Sequence, residues 1–399
     1  MTGEPITQTN GAAASDQAPH ADAPVATRAE DCVRSAFSYP SADGRSQVHA
    51  VWWLNPAWTA VVPQEVRPHA VGTPSGNRAV ADPAPQEVRS GAAAPEPVGN
   101  RSAAAAAPSG SRSAAPACPR AVVQIVHGMS EFIERYDEFA AYLVRCGYAV
   151  CGEDHIGHGA TAPTKDDWGV LPAYGGVDIL LADVKALHDR AAERFPGVPL
   201  VIYGHSMGSF IARAYVSRYG DGVSAAVFSG TASTPPAVSK FARGLSRHLA
   251  QRKGERYVST FVDGLGAGSY GKKIPNARTP FDWLSTDPAV VDAYIADERC
   301  GFPFSVGGYA TLTDLTALID SPACAQSVPK DLPLLFVAGA EDPVGNCGKG
   351  VNQAADLVRR AGVRTVDVKI YPGMRHEIHN EPGRAAVFSD ISNWIGEVL

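Results

Sequence analysis

Large apolar residues are scarce in two parts of the chain and recur regularly in the rest. Residues 1–31 are rich in Ala, Pro, Thr and Asp, and residues 59–118 in Ala, Pro, Gly, Ser and Arg, without a helical or strand period. Such segments have too few large apolar side chains to build a core. We therefore predict a disordered tail at 1–31 and a low-complexity insertion at 59–118.

The insertion contains an imperfect repeat. PQEVR occurs at residues 63–67 and 85–89, and GNR occurs at residues 76–78 and 99–101. A repeat of about this length can indicate a solenoid. Each unit has almost no Leu, Ile or Phe, however, so stacked units would bury no core. We interpret the segment as a loop between two strands, where a long surface insertion costs little stability.

The remaining chain predicts alternating strands and helices. Residues 32–58 predict two strands joined by a turn at Ser41–Gly44. One face of the second strand carries Val48, Ala50, Trp52 and Leu54. Further strands are predicted at Ala121–Val126, Tyr148–Gly152, Pro199–Tyr203, Val223–Ser229, Leu332–Ala338 and Val366–Tyr371. Helices are predicted at Tyr136–Cys146, Val177–Phe195, Met207–Tyr219, Gly350–Ala361 and Ala385–Leu399.

This alternation is typical of parallel βαβ units, whose sheet is covered by helices on both faces. We predict an α/β core made of residues 32–58, 119–230 and 329–399. Residues 231–328 interrupt the alternation between two core strands with a mostly helical stretch, which we predict to be a lid. Most of its large apolar side chains should pack between lid and core, while some line the approach to the site: Phe241, Leu245, Leu249, Phe261, Val262, Leu265, Phe281, Trp283, Tyr294, Ile295, Phe302 and Phe304.

Composition and charge exclude several classes of function. The formal net charge is -6, and no run of Lys and Arg suggests a nucleic-acid partner. The N-terminus lacks the basic start and apolar core of a secretory signal, and no apolar run is long enough to span a membrane. Seven scattered cysteines without a CxxC pair are typical of free thiols in a cytoplasmic protein. We expect no cofactor, no metal and no obligate protein partner.

The strongest chemical signal is Gly204-His-Ser-Met-Gly208, which follows an apolar strand and precedes a helix. This G-x-S-x-G arrangement puts a serine on a sharp strand-to-helix turn, where small neighbours avoid clashes. The helix N-terminus then offers backbone N–H groups to a developing oxyanion. The pattern predicts Ser206 as the nucleophile of an α/β-hydrolase fold, against the alternative of a glycine-rich turn with an idle serine.

A serine nucleophile needs a base, and the base needs an acid that orients it. In this fold the acid and the histidine follow the serine in that order, each beyond a strand end. Asp342 lies just past a predicted strand, and Pro343 helps to fix its turn, so we favour it over Glu341. We favour His376, just past the next strand, over the alternative His379 as the base.

Two further loops contain residues that could take part in the site. The loop after the first core strand should supply an oxyanion N–H, and we predict the backbone N–H groups of Met129 and Met207 for this role. Residues 154–159, DHIGHG, contain two histidines, but the glycines favour a tight structural loop over a metal site. Glu131, Glu134 and Arg135 are interpreted as a solvated face or as lid contacts rather than as catalytic groups.

These motifs together resemble the monoacylglycerol lipase and lysophospholipase branch of the α/β hydrolases, which is grouped with serine aminopeptidases. The matching pieces are HGMSEFIERYDEFA, DHIGHG, GHSMGS, AGAEDPVG and GMRHE, and the piece RTPFDWLSTDPAVVDAYIADERCGFPF also resembles bacterial lysophospholipases. The resemblance covers residues 33–58 and 119–399. It departs at Ser209, where the usual motif has glycine, and at the insertion, which the usual pattern lacks.

The resemblance implies the same triad, Ser206, Asp342 and His376, with Met129 and Met207 in the oxyanion hole. It implies a small-molecule acyl ester as substrate, which leaves room for transient contact with lipid surfaces or micelles. Two alternatives stay open. One is a peptidase or amidase of the proline iminopeptidase type, for which no acidic anchor stands out in the lid. The other is a catalytically silent fold used for binding.

Overall fold

The computed structural model describes residues 31–59 and 118–399. Apart from their end residues, the predicted tail and the predicted insertion lie outside these described residues. The strands are β1 Val33–Pro40, β2 Gln47–Leu54, β3 Val122–Val126, β4 Ala149–Glu153, β5 Leu200–His205, β6 Ala225–Ser229, β7 Leu334–Gly339 and β8 Val366–Tyr371. The α-helices are α1 Asp137–Arg145, α2 Gly176–Arg194, α3 Met207–Tyr219, α4 Pro236–Lys253, α5 Thr260–Leu265, α6 Pro288–Ala296, α7 Val306–Ile319, α8 Pro322–Ser327, α9 Lys349–Arg360 and α10 Arg384–Val398.

The eight strands form one sheet in the order β1-β2-β4-β3-β5-β6-β7-β8. β1 and β2 pair antiparallel, β2 joins β4 antiparallel, and β3 to β8 are parallel to one another. One face packs against α2, α3 and α9, and the other against α1 and α10. This is the predicted α/β architecture. Because β3 to β8 are parallel, the loops that follow them gather at one edge of the sheet.

β2 shows how the sheet is buried. Its Val48, Ala50, Trp52 and Leu54 side chains pack together in one apolar cluster, as their alternation predicts. Val51 and Trp53 on the opposite face are equally buried, in a second cluster with α1 and α10. β2 lies inside the sheet between β1 and β4, so both of its faces are covered.

Residues 231–328, called here the inserted segment, hold α4 to α8 between β6 and β7. Phe304 is fully buried. Of the twelve large apolar side chains named for this segment, eight are buried or half-buried. The other four are exposed, namely Phe241, Phe261, Leu265 and Ile295. Helical spacing reports that a helix has an apolar face but not what covers that face.

Two further features concern the helices and the cysteines. None of the helices in the described residues is long and apolar enough to cross a membrane. All seven cysteines lie within the described residues, and each is a free thiol.

Candidate active site

Ser206 occupies a strained turn between β5 and α3. Its φ is 53° and its ψ is -121°, a backbone conformation that residues with side chains rarely adopt. A Cβ on Gly204 would lie 2.3 Å from the Gly208 carbonyl oxygen, and one on Gly208 would lie 2.0 Å from the Val126 carbonyl oxygen. The two glycines of the motif are therefore required by the close approach of three backbone segments, which forces the Ser206 side chain outward.

Both predicted oxyanion donors lie beside this serine. Met207 is the first residue of α3, so its N–H is one of the four that have no acceptor within the helix. Met129 and Gly128 line the same cavity as Ser206. A Cβ on Gly128 would lie 3.1 Å from the Ser206 Cβ, which measures how closely the loop after β3 approaches the predicted nucleophile.

Asp342 and His376 are brought together from the ends of β7 and β8. The Nδ1–H of His376 donates to Oδ2 of Asp342 at 2.9 Å, and both side chains are buried. The other Asp342 oxygen accepts from the Val344 N–H at 2.8 Å. The alternative acid, Glu341, has a side chain that is 54% exposed, and it forms an ion pair with Arg375 at 3.9 Å.

The surroundings of His376 suit a general base. Burial alone would lower the pKa of its imidazole, but the charge and hydrogen bond of Asp342, with Glu377 and Glu131, raise the pKa above the ordinary 6.5. Its Nε2 is buried and has no hydrogen-bond partner among the described residues, the Ser206 hydroxyl included. A base and nucleophile in a free enzyme often sit slightly apart and close up when substrate binds.

The alternative base, His379, lies in a different environment. Its ring stacks on Tyr136 with centroids 4.7 Å apart and meets His205 at the same distance. Burial lowers the pKa of His379 to about 3, which keeps the ring neutral. No carboxylate orients it among the described hydrogen bonds, so the geometry favours His376.

A cavity of about 440 Å³ opens above Ser206 and His376. Its core-side lining comes from the loop after β3 and from the start of α3. The inserted segment supplies most of the apolar remainder, namely Tyr270, Pro280, Phe281, Trp283, Leu284, Tyr294, Phe302 and Leu312. A cavity of this size, mostly apolar with a few polar groups at one end, is typical of a small-molecule site.

Hydrogen bonds also tie the inserted segment to the loops that follow β3 and β8. The Gly301 N–H and the Tyr294 hydroxyl donate to the Ser130 carbonyl oxygen at 3.0 and 2.9 Å. On the other side, the Glu377 N–H donates to the Leu284 carbonyl oxygen at 2.7 Å. The same segment therefore roofs the cavity and contacts the loops that carry the proposed oxyanion donors and base.

A buried cluster of charged side chains adjoins the cavity. The sequence did not reveal this cluster. Glu131, Arg135 and Glu377 are joined by hydrogen bonds and are almost completely shielded from solvent. The interpretation of Glu131 and Arg135 as a solvated face is therefore wrong. The alternative, a contact with the inserted segment, is present, since the Arg135 guanidinium lies 4.9 Å from the Tyr294 ring centroid. The Glu131–Arg135 spacing of four residues hints at a pair, but Glu377 is too distant in sequence to be foreseen.

The inserted segment also supplies an acid that sequence reasoning missed. Asp263 lines the cavity, and its Oδ1 accepts from the Tyr309 hydroxyl at 2.5 Å. The signal was an aspartate within the apolar stretch Phe261–Leu265, but helical spacing alone did not indicate that it faces the cavity.

One group of side chains among the described residues has ligand atoms close enough to hold a cation. His49, Glu134 and Asp154 have such atoms within 4.8 Å of one another. They already satisfy one another and the backbone: His49 Nε2 meets Glu134 at 2.9 Å, and Asp154 accepts the N–H groups of Ile133 and Ala160. His155 in the DHIGHG loop is buried and bonded to the His127 carbonyl oxygen. We assign these groups a structural role.

Comparison with known proteins identifies the family. Residues 117–383 match the model of the family described as serine aminopeptidase, S33. The monoacylglycerol lipase of Mycolicibacterium smegmatis is 33% identical over 285 residues, which are 69% of this chain and 88% of the lipase. The monoglyceride lipase of Homo sapiens is 24% identical over 284 residues, 70% of this chain and 83% of that protein. The chain belongs to the serine aminopeptidase S33 family of α/β hydrolases.

Solved structures of other proteins are similar to this chain over most of its length. A thermostable carboxyl esterase from Bacillus coagulans, solved in complex with glycerol, superposes with a TM-score of 0.70 at 26% identity, over 92% of this chain and 98% of the esterase. Monoglyceride lipase from Saccharomyces cerevisiae, at 16% identity, shares the fold with a TM-score of 0.60 over 95% of this chain and 99% of that one. The predicted α/β-hydrolase fold and the predicted reaction class, hydrolysis of carboxylic esters, are confirmed.

Proposed function

We propose that the chain hydrolyses monoacylglycerols or similar single-chain acyl esters, such as lysophospholipids, through an acyl-enzyme on Ser206. The observation that carries this proposal is the position of Ser206 and His376 at the floor of a mostly apolar cavity, with His376 oriented by Asp342. An acyl chain fits the apolar walls, and the scissile carbonyl then lies among the polar groups at the floor. The similarity to monoacylglycerol lipases supports the same substrate class.

The proposed mechanism follows from the geometry. The Nδ1–H of His376 is held by Asp342, so Nε2 is free to take the proton from the Ser206 hydroxyl as the oxygen attacks the ester carbonyl. The N–H groups of Met129 and Met207 bind the oxyanion that forms. The C–O bond to the alcohol breaks, and the imidazolium returns its proton to the leaving alkoxide. Water, deprotonated by His376, then hydrolyses the acyl-enzyme and releases the fatty acid.

We further propose that the inserted segment acts as a lid, with residues 32–58, 119–230 and 329–399 as the catalytic core. Its contribution to the apolar lining and its hydrogen bonds to the loops after β3 and β8 support that division. We also propose a cytoplasmic location, on the ground that all seven cysteines are free thiols, two of them buried.

The substrate proposal predicts a clear ranking of activities. A long-chain monoacylglycerol should be cleaved with a kcat/KM at least about tenfold above that of a short-chain p-nitrophenyl ester, since each buried methylene adds transition-state binding. Lysophosphatidylcholine should lie between them or match the monoacylglycerol. Released fatty acid or nitrophenol, measured with the same enzyme preparation, gives the ranking. Preference for the short ester would contradict an acyl-chain cavity.

The exposed apolar residues suggest how a water-insoluble substrate is reached. Of the nine large hydrophobic residues exposed in the described chain, six lie in the inserted segment: Val238, Phe241, Val258, Phe261, Leu265 and Ile295. Exposed apolar side chains on the segment that roofs the cavity would suit transient contact with lipid surfaces or micelles.

We predict that Phe241→Ser combined with Phe261→Ser lowers kcat/KM on micellar monoacylglycerol by about three- to tenfold, because each exposed ring loses its insertion into lipid. Activity on a soluble p-nitrophenyl ester should stay unchanged. Val33→Ser is the matched control, because Val33 is an exposed apolar residue on β1, outside the inserted segment. This variant should change neither activity. An equal loss on micellar and soluble substrates would argue against lipid contact.

Asp263 favours one second candidate function. A peptidase that releases an N-terminal residue needs an acid to hold the substrate's amino group, and Asp263 is an acid on the cavity wall. Hydrolysis of prolyl p-nitroanilide that disappears in Asp263→Asn, with ester hydrolysis retained, would support this alternative. We favour the ester substrate because one Asp263 oxygen is already engaged by the Tyr309 hydroxyl.

A further inference from the structure

The cluster of Glu131, Arg135 and Glu377 connects the two loops that catalysis needs. Arg135 Nη1 donates to Glu131 Oε2 at 2.5 Å and to Glu377 Oε1 at 2.7 Å, and its Nη2 donates to Glu377 Oε2 at 2.7 Å. The Glu377 pair is therefore bidentate. The Arg135 side chain is 11% exposed, and each carboxylate is 3% exposed. Arg135 thus pairs with a glutamate 242 positions away in the sequence, inside the protein.

Each carboxylate is joined in turn to a part of the proposed machinery. The other oxygen of Glu131, Oε1, accepts the Gly128 N–H at 2.5 Å and the Tyr136 hydroxyl at 2.9 Å. Gly128 precedes Met129, whose N–H we assign to the oxyanion hole. A Cβ on Gly128 would lie 2.6 Å from Glu131 Oε1, so the absence of a side chain there permits the contact. Glu377 directly follows His376.

Stability alone is a weak reason for this cluster. A buried ion pair loses most of its Coulomb attraction to desolvation, and apolar residues of similar volume are often as stabilising. What the charged groups provide is directional: the planar guanidinium fixes two carboxylates at set angles, which a lysine could not do. The cluster thereby fixes the distance between the loop after β3 and the loop after β8.

We propose that Arg135 is a positioning residue which, by bridging Glu131 and Glu377, holds the oxyanion loop at Gly128–Met129 in register with His376 above Ser206. This inference rests on the proposed triad. The bridge does not touch the reacting atoms. It keeps the donors that bind the oxyanion and the base that moves the proton at a fixed separation, so that both engage the same ester.

The bridge also sets the charge that faces His376. Asp342, Glu377 and Glu131 act on this imidazole by their charge. Arg135 binds both glutamates, and Asp263 lines the same cavity. Four further titratable groups lie around the imidazole, namely His205, His379, Tyr270 and Tyr294. Burial lowers the pKa of the two histidines and raises the pKa of the two tyrosines, which favours the neutral form of all four. Burial would raise the pKa of Glu377, but the Arg135 guanidinium holds it at about 2. Glu377 therefore stays ionised and helps to stabilise the imidazolium of His376.

The proposal is tested with three variants and one soluble substrate, a short-chain p-nitrophenyl ester. Arg135→Lys keeps the charge but not the bidentate bridge, so kcat should fall about tenfold while KM changes little. Glu377→Gln removes one negative charge near His376, so the pKa of the acid limb of kcat/KM should move down by about half a unit or more. Arg218→Lys, in the exposed pair with Asp178, is the matched control and should match the wild type in kcat, KM and pH profile.

Two results would overturn the proposal. One is an Arg135→Lys variant that keeps the wild-type kcat. If its KM is also unchanged, Arg135 has no role in catalysis, and if KM alone rises, Arg135 is a substrate contact. The other is a Glu377→Gln variant whose acid limb does not move. Glu377→Gln leaves Arg135 and Glu131 paired, so it should fold even where Arg135→Lys does not. If a fluorophosphonate does not label Ser206 in the wild type, the proposed triad is refuted instead. This result distinguishes failure of the triad from failure of the positioning role of Arg135.

Discussion

Ser206→Ala is expected to lose ester hydrolysis by about 10³-fold or more, because the proposed acyl-enzyme forms on the Ser206 hydroxyl. The fold should be retained, since alanine keeps the Cβ that the turn already accommodates. Initial rates on a monoacylglycerol and on a p-nitrophenyl ester, with a melting temperature for each preparation, measure the effect.

The matched control for this variant is Ser217→Ala on the same helix. The Ser217 hydroxyl donates to the Ala214 carbonyl oxygen within α3 and does not line the cavity. Its activity should stay near that of the wild type. A Ser206→Ala variant with more than about a tenth of the wild-type rate would mean that another group is the nucleophile.

The second large effect is expected at His376 and Asp342, compared with their neighbours. His376→Ala should cost several orders of magnitude. Asp342→Asn should be severely impaired, by about 10²- to 10⁴-fold, because the amide keeps the shape but favours the wrong imidazole tautomer. Glu341→Gln should be mild, as its side chain is about half exposed. His379→Ala should lower the melting temperature, because its buried ring stacks on Tyr136, yet the folded fraction should stay active.

The pH profile provides a further test of the same pair. His376 must be neutral to accept the serine proton, and the Asp342 carboxylate raises the pKa of His376 above 6.5 against the effect of burial. The value of kcat/KM should therefore fall as the pH drops through an apparent pKa above 6.5. If His379→Ala is the inactive variant, or Glu341→Gln is worse than Asp342→Asn, the base or the acid has been assigned to the wrong neighbour.

Much of this arrangement was predictable from the sequence because it depends on local patterns. Apolar alternation located the strands, and the helix predicted at Val177–Phe195 is observed one residue earlier, at Gly176–Arg194. The G-x-S-x-G turn predicted a conformation that the φ of Ser206 displays. Asp342 and His376 were preferred for their positions just past strand ends, and their hydrogen bond is consistent with that preference.

What the sequence did not provide are contacts between distant segments. Nothing local distinguishes Arg135 from a surface arginine, because its burial depends on Glu377 and Tyr294, which other parts of the fold bring to it. The exposure of Phe241 and the cavity position of Asp263 were missed for a similar reason. Helical periodicity identifies an apolar face, but the tertiary fold decides whether protein or solvent covers it.

Covalent labelling tests most directly whether Ser206 is the nucleophile. The wild-type chain is treated with a fluorophosphonate, digested, and the modified peptide is sequenced by mass spectrometry. We predict one adduct, on Ser206, which forms more slowly at low pH as His376 becomes protonated and is absent from Ser206→Ala. An adduct on Ser130 or Ser209, or labelling that persists in Ser206→Ala, would contradict this prediction.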